Sequence, residues 1–493
     1  MKTTDVLIIT PFRRPDFRHA ILPTHPAEEP IDSPALRVAA ICENSGFETR
    51  LLALQNIFAG FDENTDTDVL RKLIGESSPT VVLFVSDNLI ASRSTATVYG
   101  IDVVSKILRE SSNTPIGFCG RLATTAAAEV LETIVELDFA IIGEPEAVVS
   151  DVLTSVTEDG VPALTQYPSV LTRECVQQGK RPKAAFVSDP NSLPIPAFHL
   201  AERSVELLLA RRAFSDRLVP FSLRTSYGCK FRCKFCAGVP NWTNYRTRSA
   251  ENFAHEVDRL YQVFPDTAYL SFLEDEIATR DVAHIRGIAK VLRDRSVRLN
   301  GLYTHSSLLT EEVVEQLAPV TDRVFLGLDN PSDEVLRKMG KGQRLSTVLT
   351  AAQRAREGGL RTHLEWIIGS PSETVHSLVT SLHAICVLLA SNTVDSINTY
   401  VFCPHPGTEY RERAGDHGLV VHDPFHMLES GGYPASSTEA LTRNQIFSAY
   451  LMSQVVISEI IAARQRSGAA QNLPAPSRAE LERIFAEIGG VDG

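Results

Sequence analysis

The chain has 493 residues, 43% hydrophobic and 22% charged, with 48 basic against 60 acidic side chains and a formal net charge of −12. That length exceeds what one compact core holds and predicts about three domains. The acidic balance, with a pI near 5.6, speaks against electrostatically driven binding to nucleic acid or anionic lipid, which needs a basic field. No stretch of about 18 residues is uninterruptedly apolar, so no membrane-spanning helix is expected. The opening MKTTDVLIITPFRRPDF reads as a first strand rather than a signal peptide, and the expected compartment is the cytoplasm.

From Asp5 onward, short β-branched runs alternate with amphipathic stretches: DVLIITP, SPALRVAAICENSG, FETRLLAL, TDVLRKLIGESS, TVVLFVSD, IDVVSKILRESS, TPIGFCG, AAAEVLETIVEL and DFAIIGEPE. This alternation predicts βαβ units on a parallel sheet, a doubly wound, Rossmann-like domain over residues 1–155. Ligands of such sheets sit outside the carboxyl ends of the strands. The turns TPF, SDN, CGRLATT and GEPE therefore form the expected binding edge. Residues 156–215 are rich in proline and read as a linker.

A second series, from FSLRTS through TAYLSFLEDE, VRLNGLYTHSS, DRVFLGLDNPS, LRTHLEWIIGSPSET and VDSINTYVFCPHPGTEY, gives six strand-helix repeats. They predict a partial (β/α)6 barrel of the TIM type over residues 216–430, with its chemistry at the strand ends. Residues 431–493 are expected to be helical, centred on NQIFSAYLMSQVVISEIIAARQ. The overall class is α/β.

GCKFRCKFC, residues 228–236, sets Cys229, Cys233 and Cys236 in one loop, whereas Cys42, Cys119, Cys175, Cys386 and Cys403 are scattered and read as buried core thiols. In a reducing compartment a cysteine cluster signals a metal or redox site. Thiolates are soft ligands suited to zinc or iron–sulfur clusters. Structural zinc takes four protein ligands, and no second CxxC or nearby CxxH completes that set, so a zinc site would have to borrow a remote histidine. Lys230, Arg232 and Lys234 interleave with the cysteines and favour the thiolate form.

CxxxCxxC after a strand that opens a (β/α) repeat, preceded by TSYGC and with Phe235 before the last cysteine, resembles the radical S-adenosylmethionine (SAM) superfamily. The resemblance implies a 4Fe-4S cluster on Cys229, Cys233 and Cys236, with SAM chelated to the open iron and cleaved to a 5′-deoxyadenosyl radical. It implies further SAM contacts from Phe235; from Glu274, Asp275 and Glu276 at the end of the second strand; from Asp329 and Asn330, where the family has a G-x-E-S segment; and from Ile367 and Gly369 in EWIIGSPSET, which is similar to the family's IxGxPxET. FCPHPGTEYRE at 402–412 is similar to its P-x-P-G-T segment.

A doubly wound domain ahead of this core resembles the cobalamin-binding class of the superfamily. That implies cobalamin at Gly120, Arg121, Thr124, Gly143 and Glu144, with CGRLATT standing where the class shows GGxHxT. No DxHxxG is present, and the first 165 residues hold only His19 and His25, so no lower cobalt ligand is expected by motif. The implied reaction is methyl transfer from methylcobalamin to an unactivated carbon or a phosphinate phosphorus of a small or carrier-bound metabolite. The implied partner is a flavodoxin- or ferredoxin-like reductant. The alternatives are a radical SAM enzyme performing cyclisation, epimerisation, ring rearrangement or oxidation without methylcobalamin, and a cobalamin or cluster sensor. Substrate-side candidates are Tyr303, His305, Glu365, Trp366, Tyr400 and His405.

Overall fold

The computed structural model describes residues 3–12, 31–58, 61, 63–87, 97–210, 218–238, 245–275, 277–422, 433–467 and 473–489. They fall into two compact units, residues 1–229 with 237–275 and residues 230–236 with 276–493.

The first unit is built on a six-stranded sheet of β1 (Thr3–Thr10), β2 (Thr49–Ala53), β3 (Ser78–Ser86), β4 (Ile116–Gly120), β5 (Phe139–Ile141) and β6 (Val170–Thr172), in the order 2-1-3-4-5-6. β1 to β5 are parallel. The centres of β1, β3, β4 and β5 are buried, while β2 at the sheet edge is half-buried up to Leu51; Val81 to Val85 of β3 are all 1% exposed or less, as expected of strands covered on both faces. The chain order reverses between β1 and β3, and such a switch point opens a crevice outside the carboxyl ends of those two strands.

β6 lies in the stretch expected to be a linker. It pairs antiparallel to β5, with Phe139 opposite Thr172. Arg173 behind it donates to the carbonyls of Leu131, Ile134, Val135 and Leu137 at 2.6–3.2 Å, satisfying the carboxyl end of helix α1 (Arg121–Thr133). A long-range ladder and a side chain reaching back some forty residues leave no local pattern, so proline density alone misread the segment.

β7 (Val219–Leu223) pairs in parallel with β10 (Ala268–Leu273), and the short β8 (Ser226–Tyr227) and β9 (Arg246–Thr247) pair antiparallel. Helix α2 (Ala250–Val263) starts at Ser249, whose side chain accepts from the amide of Asn252. On α2, Glu256 is fully buried between Arg37 and Arg248, at 2.7 Å from the first.

The second unit holds a four-stranded parallel sheet, β11 (Leu302–Thr304), β12 (Arg323–Asp329), β13 (Arg361–Ile368) and β14 (Ser396–Val401), in chain order. Helices α3 (Asp333–Lys338), α4 (Leu345–Glu357) and α5 (Val375–Ala390) connect its strands. Helix α6 (Arg443–Ser467) is long and apolar enough to cross a membrane by length and composition, with a mean hydropathy of 1.6 over 18 residues. A criterion of uninterrupted apolar runs passes over it because Ser453, Gln454 and Glu459 break the pattern. It packs on α5 and β14, burying Ile446, Ala449, Tyr450, Met452, Ile457 and Ile460. Arg464 donates to the carbonyls of Val394 and Asp395 at 3.0 and 3.2 Å. A further helix, α7 (Arg478–Gly489), follows within the stretch expected to be helical.

Candidate functional site

The cysteine loop is tied into the second unit by its backbone. Lys234 donates its amide to the carbonyl of Met339 at 2.9 Å, and Tyr410 donates to the carbonyl of Lys234 at 3.2 Å. Phe231 lies flat on the imidazole of His305, with ring centroids 3.8 Å apart and planes 15° apart. Phe235 packs with Val335, Met339, Ile367, Phe402 and Tyr410. The loop is thus gripped by residues 70 to 180 positions later in the chain.

Cys233 is buried, while Cys229 and Cys236 are half-buried. The other five cysteines are buried thiols; burial pushes Cys42 and Cys386 up to about 12 and raises Cys119 well above the usual thiol value, which keeps those three protonated. Among the described residues no three His, Cys, Asp or Glu side chains converge on one ion.

One cation faces this loop from behind. The Lys341 ammonium, 13% exposed, contacts Asp329 Oδ2 at 2.6 Å and lies 5.9 Å over the Phe235 ring. Burial works against its charge, but Asp329 and the sulfurs of Cys233 and Cys236 hold it protonated, above the ordinary lysine value. The Lys341 carbonyl is 3.1 Å from His305 Nε2, and Ser307 Oγ is 2.8 Å from His305 Nδ1. Burial and the neighbouring Lys341 bring His305 down to about 4. His305 therefore stands as a neutral brace for the loop.

The strand-end residues divide into occupied and available groups. Asp275 accepts from the amides and hydroxyls of both Thr225 and Ser226, with the Thr225 contacts at 3.1–3.2 Å, so it fixes the strand that leads into the cysteines. Glu274 accepts from Ser222 Oγ at 2.7 Å through Oε1, while its Oε2 is buried without a hydrogen-bond partner. Burial raises its pKa, against the pull of Arg224 and Arg121. Glu276 lies outside the described residues, as do His19 and His25.

Asn330 donates to Glu373 Oε1 at 2.7 Å, and Glu373 Oε2 accepts from the amides of Gly369 and Ser370 at 2.8 and 2.9 Å. Glu373, fully buried and raised to about 7 by burial, ties the ends of β12 and β13 together. Neither it nor Lys341 was singled out from the sequence: Glu373 lies unremarked inside EWIIGSPSET, and nothing local marks a lysine whose partner Asp329 lies twelve positions earlier.

Strand register gathers the substrate-side candidates. Tyr303 lies opposite Phe325, Phe325 opposite His363, Gly327 opposite Glu365, Glu365 opposite Asn398, and Ile367 opposite Tyr400. With side chains alternating along a strand, Tyr303, His363, Glu365, Ile367, Asn398 and Tyr400 share one sheet face. All but His363 are at least partly exposed. Tyr400 donates to Glu365 Oε1 at 3.3 Å, and Tyr303 stacks on Phe325. His363, missed in the sequence, is 2.7 Å from Ser396 Oγ, and burial brings it down to about 4. Trp366 points to the opposite face and is 1% exposed. His405 is buried in the turn after β14, its carbonyl accepting from Thr408 Oγ1 at 2.6 Å.

At the carboxyl edge of the first sheet, Thr124 Oγ1 donates to the Gly120 carbonyl at 2.8 Å and accepts from the Gly143 amide at 3.0 Å. That hydroxyl joins the two glycine turns. Both glycines have φ of +97°, and a Cβ would meet backbone, at 2.4 Å from Ser86 O for Gly120 and 2.1 Å from Ala185 O for Gly143. Gly143→Ala is expected to lower stability by about 1–3 kcal/mol, read as a fall in the urea midpoint. Arg121 is buried 3.8 Å from Asp87, which Arg224 also contacts at 2.9 Å. Glu144 makes a two-pronged contact with Arg246 at 2.6 and 2.9 Å and accepts from the Val187 amide at 2.7 Å. Arg121 and Glu144 are thus part of the internal scaffold.

Comparison with known proteins shows what these features are similar to. Residues 223–385 match the Radical SAM superfamily. An uncharacterised methyltransferase of Pyrococcus horikoshii is 22% identical over 423 residues, 82% of this chain and 86% of that one. The radical S-adenosylmethionine methyltransferase TsrM from Kitasatospora setae, solved with cobalamin and a 4Fe-4S cluster bound, is 18% identical with a TM-score of 0.65, over 97% of this chain and 91% of that one. The cobalamin-dependent S-adenosylmethionine radical enzyme OxsB, solved with aqua-cobalamin and S-adenosylmethionine bound, gives 0.64 at 12% identity over 99% of this chain and 79% of that one. At such identities the two structures establish a common fold.

Proposed function

Residues 223–385 are a radical SAM domain, and from that premise we propose that this enzyme uses a 4Fe-4S cluster, SAM and cobalamin to transfer a methyl group to an unactivated carbon or a phosphorus of a small or carrier-bound metabolite. The observation that carries the reading is the three-thiolate loop, braced on Met339, Tyr410 and His305 and faced by the Lys341 ammonium. When bound, the cluster and SAM supply one-electron chemistry and cobalamin a transferable methyl group.

The residues present fit these groups. Cys229, Cys233 and Cys236 hold the cluster. The orphaned Oε2 of Glu274 suits the SAM ammonium, a charge-assisted acceptor for a cation. Phe235 and Ile367, packed in one apolar cluster, and Gly369 offer an apolar wall for adenine, with Asp329 on the ribose side. Asp275 and Asn330 act one step back, holding the strand ends in place. Cobalamin is assigned to the carboxyl edge of the first sheet, at Gly120, Thr124 and Gly143 after β4 and β5, on the same edge as the crevice outside β1 and β3, without a DxHxxG histidine. On the sheet face of the second unit, Tyr400 and Glu365 orient the substrate, and the phenol can pass a proton to the carboxylate. The reductant is a flavodoxin- or ferredoxin-like protein and the setting the cytoplasm.

The test is the ultraviolet-visible spectrum of protein produced anaerobically with cobalamin supplied. Both cluster and corrin bands are expected, together with label transfer from methyl-labelled SAM to a trapped product. Cluster absorbance without corrin bands sinks the cobalamin assignment. The internal engagement of Arg121 and Glu144 favours a second reading, in which the first domain holds no methylcobalamin and the radical drives cyclisation, epimerisation, ring rearrangement or oxidation. Formation of 5′-deoxyadenosine with no labelled product would select it.

A further inference from the structure

We propose that Lys341 sets the reduction potential of the cluster, its ammonium offsetting the negative charge that arrives at the Cys233 and Cys236 side when one electron is added. The inference rests on the cluster assignment above. The step adds one electron from the reductant, takes up no proton, and leaves Lys341 charged in both states.

Four features make the ammonium a fixed charge rather than a wandering side chain. Its Nζ is 2.6 Å from Asp329 Oδ2, and both side chains are largely buried, at 13% and 7% exposure. Asp329 is presented by a left-handed backbone, φ +57°, at a register break between Gly327 and Asp329 in β12. Gly327 leaves the space the ammonium occupies, since a Cβ there would lie 2.7 Å from Nζ. The Lys341 carbonyl is held against His305, whose ring stacks on Phe231 between the first two cysteines. The same short segment grips the loop through its backbone and sets the ammonium 5.9 Å from the ring of Phe235, the residue between Lys234 and Cys236. Screening is weak at a site so removed from water, so a full charge acts strongly there.

Asp329 and Lys341 carry opposite charges and should act in opposite directions, which separates electrostatics from damage to the fold. The experiment is an EPR-monitored redox titration of anaerobically reconstituted protein without SAM, with iron and sulfide content measured in parallel. Lys341→Met is expected to lower the one-electron reduction constant at least tenfold, 59 mV downward. Lys341→Arg should stay within threefold of wild type. Asp329→Asn, which removes the neighbouring negative charge, should raise the constant. A Lys341→Met midpoint within twofold of wild type in reduction constant, or shifts of the same sign in Lys341→Met and Asp329→Asn, overturns the proposal. If Lys341→Met takes up no cluster, Asp329→Asn alone decides, a null or downward shift overturning it. Wild-type protein that binds no cluster overturns the assignment beneath it, and this inference with it.

Discussion

Cys233→Ala should give a folded protein that has lost its cluster. Iron content is expected to fall below about a tenth of wild type, and SAM cleavage to background, because two thiolates cannot hold a cluster that leaves one iron open for SAM. The far-ultraviolet dichroism should be unchanged, since the loop is anchored by the Lys234 backbone, Phe231 and Phe235 rather than by the sulfur. Replacing a small buried thiol by alanine costs little, about 1 kcal/mol. Cys386→Ala is the matched control, a buried thiol on α5, and it should keep both iron and activity. Full iron in Cys233→Ala would remove that residue from the ligand set.

Glu256→Ala is the substitution expected to cost most in stability. It leaves the guanidinium groups of Arg37 and Arg248 buried without their shared carboxylate, and breaking a buried ion pair in this way costs about 3–5 kcal/mol. Arg37 keeps the Pro194 carbonyl at 2.7 Å, and Arg248 keeps Asn252 at 2.7 Å and the Arg224 carbonyl at 2.9 Å, which places the loss at the lower end. Burial alone would raise the pKa of Glu256, yet the two arginines hold it below its ordinary 4.5. A carboxylate depressed in the folded state contributes stability that is full above about 4.5 and is lost as pH falls through the lower folded value. Wild-type urea midpoints should therefore drop below pH 4.5, and Glu256→Ala should lack that component of the acid limb. Equal midpoints at pH 7 for variant and wild type would contradict this account.

The strand-helix alternation was legible because it is periodic and local. β1 to β5 lie where short β-branched runs predict them, and the six second-series strands follow the same rhythm. β6 escaped because its identity depends on pairing with β5, not on its three residues. The cysteine loop was legible because its three cysteines fall within eight residues. Its supports were not: Lys341, His305 and Tyr410 reach it across 70 to 180 positions, and a lysine in GKGQ looks like any other surface cation. Several strand-end residues were found for the right place and a different task. Asp275 and Asn330 stand at strand ends as expected, but their oxygens and amide are committed to Thr225, Ser226 and Glu373. Composition cannot reveal whether a carboxylate already has partners.

The grip of residues 339 and 410 on Lys234 also orders events during synthesis. Cys229, Cys233 and Cys236 leave the ribosome long before Met339 and Tyr410 exist to hold their loop. At roughly 5–20 residues per second the gap lasts some ten to thirty seconds. Through that interval the three thiols hang on an unbraced peptide, open to oxidation and to stray zinc. On the cluster assignment proposed above, iron delivery has to wait, or shield the nascent chain, until residues 237–410 are made, and yields of active enzyme should respond to translation speed over that stretch.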